Sequence, residues 1–393
     1  MNVSLAPADL PPVKSPSPKL PTPKLPTPKL SSPKLSPLKL APVKLPPGGL
    51  NRGRLSTPDR LPLGLPHEVV GSWLNGKFDE SVRARFFRGM EFGAPEGDPG
   101  WFGPDSATWY VHSHTPALIF GLQAASYMER LDPSIYWMGM HHSRLVRRRA
   151  DGTPTTAIDP DGAMTRLGHS LAFFMGTAYG STETAERLAR TVRAMHHTIK
   201  GVRPDGAAYD ADDPEWLRWN YATVVWGIAT AHEIYHPRPL RGAELDRYYG
   251  EFVRVGHALG GTDLPATKAE TLRCLESYLP RLALTHGNAM ATGANLRNRV
   301  QAAVDWAIRD IQPRWAKQLI SYRPPNPVER RARRSLVWSV INTAHLTMGE
   351  MPEFRAARRR VAGGTDVPHT LPRYELGTDP EMSRAEVEAS FSH

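Results

Sequence analysis

The chain has 393 residues, of which 40% are hydrophobic and 22% charged, which is enough to bury a large core. Its single cysteine, Cys274, excludes a disulfide scaffold and any cysteine-rich zinc or iron–sulfur site. The net charge of +10 is concentrated in one segment, because nine basic and no acidic residues lie between Leu10 and Pro58. The remainder holds 40 of the 49 basic residues against 39 acidic ones, so we expect no specific nucleic-acid partner.

Residues 1–60 are predicted to form a disordered extension. Seven lysines recur every five residues from Lys14 to Lys44, mostly between proline and leucine, without an aromatic residue or a helical period. Such a segment buries too little apolar surface to offset the entropy of ordering it, and its prolines favour polyproline II. Three roles stay open: a solubilising extension, weak contact with an anionic membrane or polyphosphate, and recognition by proline-binding domains.

Residues 61–350 are predicted to form one large all-α domain, since helical periods are abundant and alternating strand patterns are scarce. Residues 351–393 are predicted to be a loosely ordered C-terminal segment. No apolar region follows Lys14 in the manner of a secretory signal. The longest uncharged apolar stretches, Thr115–Met128 and Trp219–Ala231, are shorter than the roughly 20 residues of a membrane helix. We therefore expect a cytoplasmic protein, with any membrane contact confined to its periphery.

The first two informative helices are predicted over Pro116–Met128, which is largely apolar, and Met164–Tyr179. The second has an ordinary core face and a second, unusual face. Polar side chains and one large ring share that second face at i, i+3, i+4, i+7 and i+11. A half-polar cavity wall and a surface salt-bridge face both stay open as explanations. The members of this face are Arg166, His169, Ser170, Phe173 and Thr177.

The next helix is predicted to begin after Ser181, a good N-cap, and to end at Gly201. Its apolar stripe places His196 at the border of the buried face and His197 towards solvent. On the pattern alone, His196 is either a satisfied core residue or a ligand. The helix predicted over Pro214–Tyr235 is apolar nearly all round, which is typical of complete burial in a bundle.

A series of ordered motifs between Val111 and Tyr278 resembles the oxygenase family of MpaB and the latex-clearing rubber oxygenases. No single motif is specific, whereas their order is. The matching stretches are Arg166–Phe173, Tyr179–Ser181, Val192–His196 with Lys200 and Gly201, Asp205–Tyr209, Asp213–Trp219, Ala222 with Thr223, and Asp246–Tyr249 with Glu251.

The resemblance implies a globin-like helical core around haem b, with His196 as the ligand of the iron. It places Arg166, His169 and Ser170 in catalytic positions, where the family usually has arginine, lysine and threonine. It also implies contacts of the cofactor with Arg166, Phe173 and Tyr221, although Tyr221 stands where the family's histidine is expected. The family's distal carboxylate is not fixed by any motif. The acidic residues in the corresponding region are Asp151, Asp159 and Asp161.

The resemblance therefore predicts an oxidoreductase, namely a haem-dependent oxygenase that uses dioxygen. Its substrate is expected to be a small lipophilic, isoprenoid-like molecule whose carbon–carbon double bond is cleaved. The alternative is a non-catalytic helical protein that binds haem or lipid and acts through interactions. The substitutions at His169, Ser170 and Tyr221 keep this alternative open.

Overall fold

The computed structural model describes residues 78–286 and 299–363, together with residues 76 and 288. All of them belong to the second of two units, which spans 56–393. The lysine-rich extension predicted over residues 1–60 lies outside the described residues, so its predicted disorder remains a prediction.

The described chain is helical, with two short antiparallel hairpins, and the predicted all-α class is confirmed. A π-helical turn at Asp79–Arg83 leads into the first helix, and Leu279–Arg281 forms a 3-10 turn. The strands are β1 (Val146–Arg148) paired with β2 (Pro154–Ile158), and β3 (Lys200–Val202) paired with β4 (Ala208–Asp210). The helices are α1 (Ala84–Phe86), α2 (Ala107–Ser113), α3 (Thr115–Glu129), α4 (Pro133–His142), α5 (Pro160–Tyr179), α6 (Thr182–His197), α7 (Pro214–Tyr235), α8 (Gly242–Ala258), α9 (Lys268–Ser277), α10 (Arg299–Asp310), α11 (Arg314–Leu319), α12 (Pro327–Met348) and α13 (Pro352–Val361).

Local sequence signals explain where the site-bearing helices begin. Proline occupies the first position of α5 and α7, where its missing N–H costs nothing and its fixed φ favours the helix. The Asp213 carboxylate caps α7 by accepting a 2.8 Å hydrogen bond from the amide of Glu215. The bounds predicted for α7 are confirmed at both ends, whereas α5 begins four residues earlier than predicted.

Helices α3 and α7 cross at two glycines. A Cβ on Gly121 would lie 2.7 Å from the Cα of Ile228, and a Cβ on Gly227 would lie 2.6 Å from the carbonyl oxygen of Gly121. The two backbones therefore touch at a distance that no larger residue permits. This contact holds the C-terminal end of α3 against the first turns of α7, where several polar side chains of the site lie.

The core divides into two apolar clusters. One joins α2, α5 and α8 and includes the fully buried Trp109, Tyr179 and Phe252. The other surrounds α3, α7 and α10 and includes Trp219 and Trp306. Burial of aromatic side chains of this size dominates the energetics of such a core. Nothing in this arrangement tests the predicted globin-like core, which remains a prediction.

A buried arginine attaches α13 to the end of α5. The Arg360 guanidinium donates hydrogen bonds to the carbonyl oxygens of Phe92, Asp98, Tyr179 and Gly180, at 2.6, 2.7, 2.9 and 3.2 Å. A guanidinium has hydrogen-bond donors and no acceptor, so these four backbone carbonyls satisfy the buried Arg360 side chain. Of the C-terminal segment predicted over 351–393, the structure describes residues 351–363, and α13 lies among them.

Within the part of the chain that the structure describes, no helix combines the length and the apolar character needed to cross a bilayer.

Candidate functional site

The hairpin of α5 and α6 carries the predicted iron ligand and the predicted distal residues. Gly180 and Ser181 connect the two helices, and the Ser181 hydroxyl caps α6 by accepting a hydrogen bond from the amide of Thr184. Arg166 lies 14 residues before Gly180, and His196 lies 16 residues after it. At 1.5 Å per residue, both lie roughly 20 Å from the connection, at the same end of the hairpin.

His196 is a half-buried imidazole with one unused nitrogen. Its Nδ1 is buried and has no hydrogen-bond partner among the described residues. Burial lowers the pKa of His196, the Arg166 guanidinium and His197 lower it further, and the Asp212 carboxylate opposes them. The imidazole is therefore neutral at ordinary pH, which is the form that binds a metal ion. The neighbouring His197 is exposed, as predicted, and its Nδ1 lies 2.7 Å from Oδ2 of Asp212.

The stripe predicted to face the core, formed by Ala185, Leu188, Val192, Met195 and Ile199, is covered except at Met195. Ala185 is completely buried, whereas Met195, predicted on the same buried face, is 51% exposed. On the partner helix, Met164 is exposed as well. The two methionines flank His196 and Arg166 in sequence and lie at the same end of the hairpin. An apolar surface is thus open beside the imidazole.

The residues predicted to share the polar face of α5 differ in their exposure to solvent. Arg166 and His169 are exposed, and Ser170 is half-buried. His169 packs edge-on against Phe86 with ring centroids 4.9 Å apart, and burial, followed by the nearby Arg85, lowers its pKa. Phe173, one helical turn further, is buried in the core against Phe174.

Tyr221 is buried on α7, and its hydroxyl has a backbone partner. It donates a 3.0 Å hydrogen bond to the carbonyl oxygen of Pro265. Its ring lines a small, partly open cavity of about 30 Å³ between α5, α7 and α8, together with Phe174, Asn220 and Phe252. A volume of this size holds one water molecule. The predicted contact of Tyr221 with a cofactor remains a prediction.

Sequence reasoning missed Glu129, the last residue of α3. It is almost completely buried, and its Oε1 accepts a 2.9 Å hydrogen bond from the amide of Asn220. Burial raises the pKa of this carboxyl, against the opposing effects of Arg166 and Arg130. An acidic residue is unfavourable at a helix C-terminus because of the helix dipole. A single acidic residue at this unfavourable position, in an otherwise uncharged helix, was the sequence signal that could have identified Glu129.

The other acidic candidates have different surroundings. Asp151 is exposed in the β1–β2 hairpin, where it accepts hydrogen bonds from the amide and hydroxyl of Thr153. Asp161 is exposed and Asp159 is half-buried, both at the start of α5.

Within residues 78–286 and 299–363, no three side chains of histidine, cysteine, aspartate or glutamate are grouped to hold a metal ion. A single imidazole is sufficient for a metal that brings its own equatorial ligands, as the iron of haem does.

Residues 109–342 match the family described as ER-bound oxygenase mpaB/B'/Rubber oxygenase, catalytic domain. The chain belongs to this family. Its oxygenase domain includes every residue of the hairpin site and also Glu129, Asn220 and Tyr221. No curated protein and no solved structure matches the chain. The match extends beyond the resembling motifs at both ends and identifies an enzyme of the oxidoreductase type.

Proposed function

We propose that this oxygenase domain binds haem b through His196 and oxidises a lipophilic, isoprenoid-like substrate with dioxygen. One observation carries the proposal: a neutral, half-buried imidazole has an unpartnered buried nitrogen beside a guanidinium and an open apolar surface. Buried polar atoms are rarely left without a partner, so the orphaned Nδ1 calls for a partner inside the protein, and the other ring nitrogen of His196 is left for a ligand at the open surface.

Haem fits the residues that are present. His196 would hold the iron through a ring nitrogen, Met164 and Met195 would offer apolar surface to a porphyrin, and Arg166 would supply a positive charge. The cavity beside Tyr221 is far too small for a porphyrin. The proposal therefore assigns the haem to the open apolar surface of the α5–α6 hairpin. Phe173 and Tyr221 belong to the inner wall behind it.

Bound haem supplies the iron that binds and activates dioxygen. Around it, Arg166 is the group that stabilises negative charge, because a guanidinium carries a positive charge and an array of hydrogen-bond donors. Ser170 supplies a hydroxyl donor, and His169 exchanges protons near neutral pH more readily than the family's usual lysine. Glu129 is the carboxyl that accepts a proton, since burial brings its pKa towards neutrality.

The substrate class follows from the open surface. Exposed apolar side chains beside the proposed cofactor favour a lipophilic molecule over a charged one. Within the family, cleavage of an isoprenoid carbon–carbon double bond is the expected outcome, and we propose it for this chain.

An absorption spectrum of the full chain expressed with haem supplied tests the proposal. We expect a Soret band that the His196→Ala variant loses and the His197→Ala variant keeps, because His197 is exposed and pairs with Asp212. Retention of the band by His196→Ala would place the ligand elsewhere, and a colourless wild type would refute haem binding.

Dioxygen consumption separates an oxygenase from the alternative, a non-catalytic protein that binds haem or lipid. The reduced, haem-loaded protein is mixed with a carotenoid or a polyprenol under dioxygen. Consumption with carbonyl products supports the oxygenase. A stable spectrum and unchanged substrate would favour the non-catalytic protein.

A further inference from the structure

Helix α12 presents an uncharged face to solvent. Residues 335–349 contain no Asp, Glu, Lys or Arg. Leu336 is 59% exposed and Val340 is 51% exposed, whereas the next residues round the helix, Val337 and Ile341, are buried in the core. Single exposed apolar residues are common, but adjacent ones on one helix face mark an interaction surface.

A cationic cleft lies at the start of the same helix. It has a volume of about 420 Å³, and its walls include Trp306, Tyr322, Arg309, Arg323 and Arg333. Arg333 pairs with Glu329, which also lines the cleft, and its guanidinium lies 5.5 Å from the ring centre of Trp306. Arg323 is exposed and makes no ion pair within the described ranges. The cleft therefore has an excess of positive charge.

The cleft and the uncharged face share one side of α12. Glu329, Arg333, Leu336 and Val340 are spaced i, i+4, i+7 and i+11, which places them in one stripe along the helix. A ligand whose charged group occupies the cleft would thus continue onto Leu336 and Val340. We call the cleft together with these two residues the α12 surface.

The surrounding segment is strongly basic. Residues 314–363 contain eleven basic residues and three acidic ones. Part of this charge is compensated, since Arg330 and Arg334 both pair with the buried Asp310. Arg331 on the same helix is exposed and adds to the positive charge around the α12 surface. Such a field attracts an anionic partner and repels a second copy of the same surface.

We propose that the α12 surface docks this protein on an anionic phospholipid surface. Lipid phosphates bind at Arg323 and Arg333, and Leu336 and Val340 enter the acyl boundary. A cationic region next to exposed aliphatic side chains on one helix is the pattern of an interfacial helix. Free phosphate would bind in the cleft, but its binding would not account for the exposed Leu336 and Val340. The proposal does not depend on haem binding or on the oxygenase reaction.

Vesicle flotation of the full chain tests the proposal. We expect binding to vesicles of phosphatidylcholine with phosphatidylglycerol and little binding to phosphatidylcholine alone. The double variant Leu336→Ser, Val340→Ser should lower the partition coefficient by about tenfold. The variants Arg323→Ala and Arg333→Ala should each lower it by about fivefold. All these side chains are at the surface, so an unchanged thermal midpoint verifies the fold.

Matched controls come from another surface of the chain. Val202 on β3 is 58% exposed, and Arg190 on α6 is exposed too. Val202→Ser and Arg190→Ala should therefore bind the anionic vesicles like the wild type. An equal loss in these variants would mean that general apolarity or charge causes the binding, which would overturn the proposal.

Three further outcomes would also overturn it. If replacing the seven lysines from Lys14 to Lys44 by glutamine abolishes binding while the α12 variants leave it unchanged, the extension carries the contact. If inorganic phosphate occupies the cleft and no vesicle binds, the ligand is soluble. If the double serine variant dissociates an oligomer and vesicles never bind, the partner is a second copy.

Discussion

The side-chain amide of Asn220 donates a 2.9 Å hydrogen bond to Oε1 of Glu129, joining α7 to the last residue of α3. The bond crosses between two helices whose backbones touch at Gly121 and Gly227, so its geometry is set by the closest contact in the core. It holds a buried carboxyl at a fixed place beside Arg166. The position of this carboxyl therefore depends on the packing of α3 on α7.

The variant Glu129→Gln should change the pH dependence of stability. The pKa of Glu129 is raised in the folded protein, so wild-type stability falls as pH rises through the titration of this carboxyl. Glutamine keeps the acceptor for Asn220 but does not ionise. The melting temperature of the variant minus that of the wild type should therefore become more positive as pH rises from about 5 to 8. If Glu129 is the proton acceptor, turnover should fall by about 100-fold or more.

Glu276→Gln, at an exposed position on α9, is the control for this comparison. Its melting temperature should equal that of the wild type at every pH. A difference between Glu129→Gln and the wild type that does not vary with pH would contradict the predicted raised pKa.

The variant Arg166→Gln should raise the pKa of His196, because the guanidinium disfavours a second positive charge nearby. Histidine carbon–proton NMR of the haem-free protein measures this titration directly. Arg190→Gln, an exposed position on the same hairpin, should leave it unchanged. An unaltered His196 titration in Arg166→Gln would show that the two side chains do not share the site.

A cluster of four buried histidines should make the protein sensitive to acid. His114, between α2 and α3, packs against His236, which packs against His232 on α7, and His114 also stacks on His345 of α12 at 4.0 Å. His112 on α2 is the fourth member, and its charge would disfavour protonation of His232. Burial lowers all four pKa values, that of His112 to about 4 and that of His236 to about 3. Arg238 and Arg241 also disfavour protonation here.

Because these folded-state pKa values lie below the usual 6.5, the unfolded chain takes up more protons as pH falls. The free energy of unfolding should therefore decrease steeply below about pH 6.5. His236→Asn keeps an acceptor for the amide of Arg238. It should reduce the number of protons taken up on unfolding by about one, and so flatten the dependence of the free energy of unfolding on pH. His142→Asn, an exposed histidine on α4, should not. If the free energy of unfolding depends on pH equally in the wild type and both variants, the histidine cluster does not cause the acid sensitivity.

The variant Gly121→Ala should destabilise the fold by about 3 kcal/mol, because its Cβ would meet the backbone of α7 and not a movable side chain. Gly139→Ala on α4 is the matched control, since nothing lies within 4 Å of a Cβ there. The control should gain about 0.5–1 kcal/mol from better helix propensity. Denaturant unfolding measures both changes. A tolerated Gly121→Ala would contradict the close crossing.

Local patterns predicted where most helices begin, because proline, capping side chains and apolar periodicity act within a few residues. The predicted end of α6 at Gly201 was wrong, since α6 ends at His197 and Gly201 pairs with Tyr209 in the β3–β4 hairpin. The local patterns gave the bounds of α7 and the position of His196 at the edge of its stripe. They could not give Glu129, whose importance comes from Asn220, which is 91 residues away in the chain. The exposure of Met195 was also unpredictable, since periodicity reports which face is apolar and not whether anything covers it.

The anchoring of α13 affects how the catalytic domain can be excised. The family match ends at residue 342, yet Arg360 binds the carbonyls of Tyr179 and Gly180, directly before the helix that bears His196. A recombinant fragment trimmed to the matched range would leave those acceptors without their partner where α5 connects to α6. Any minimal catalytic fragment should accordingly extend through Val361.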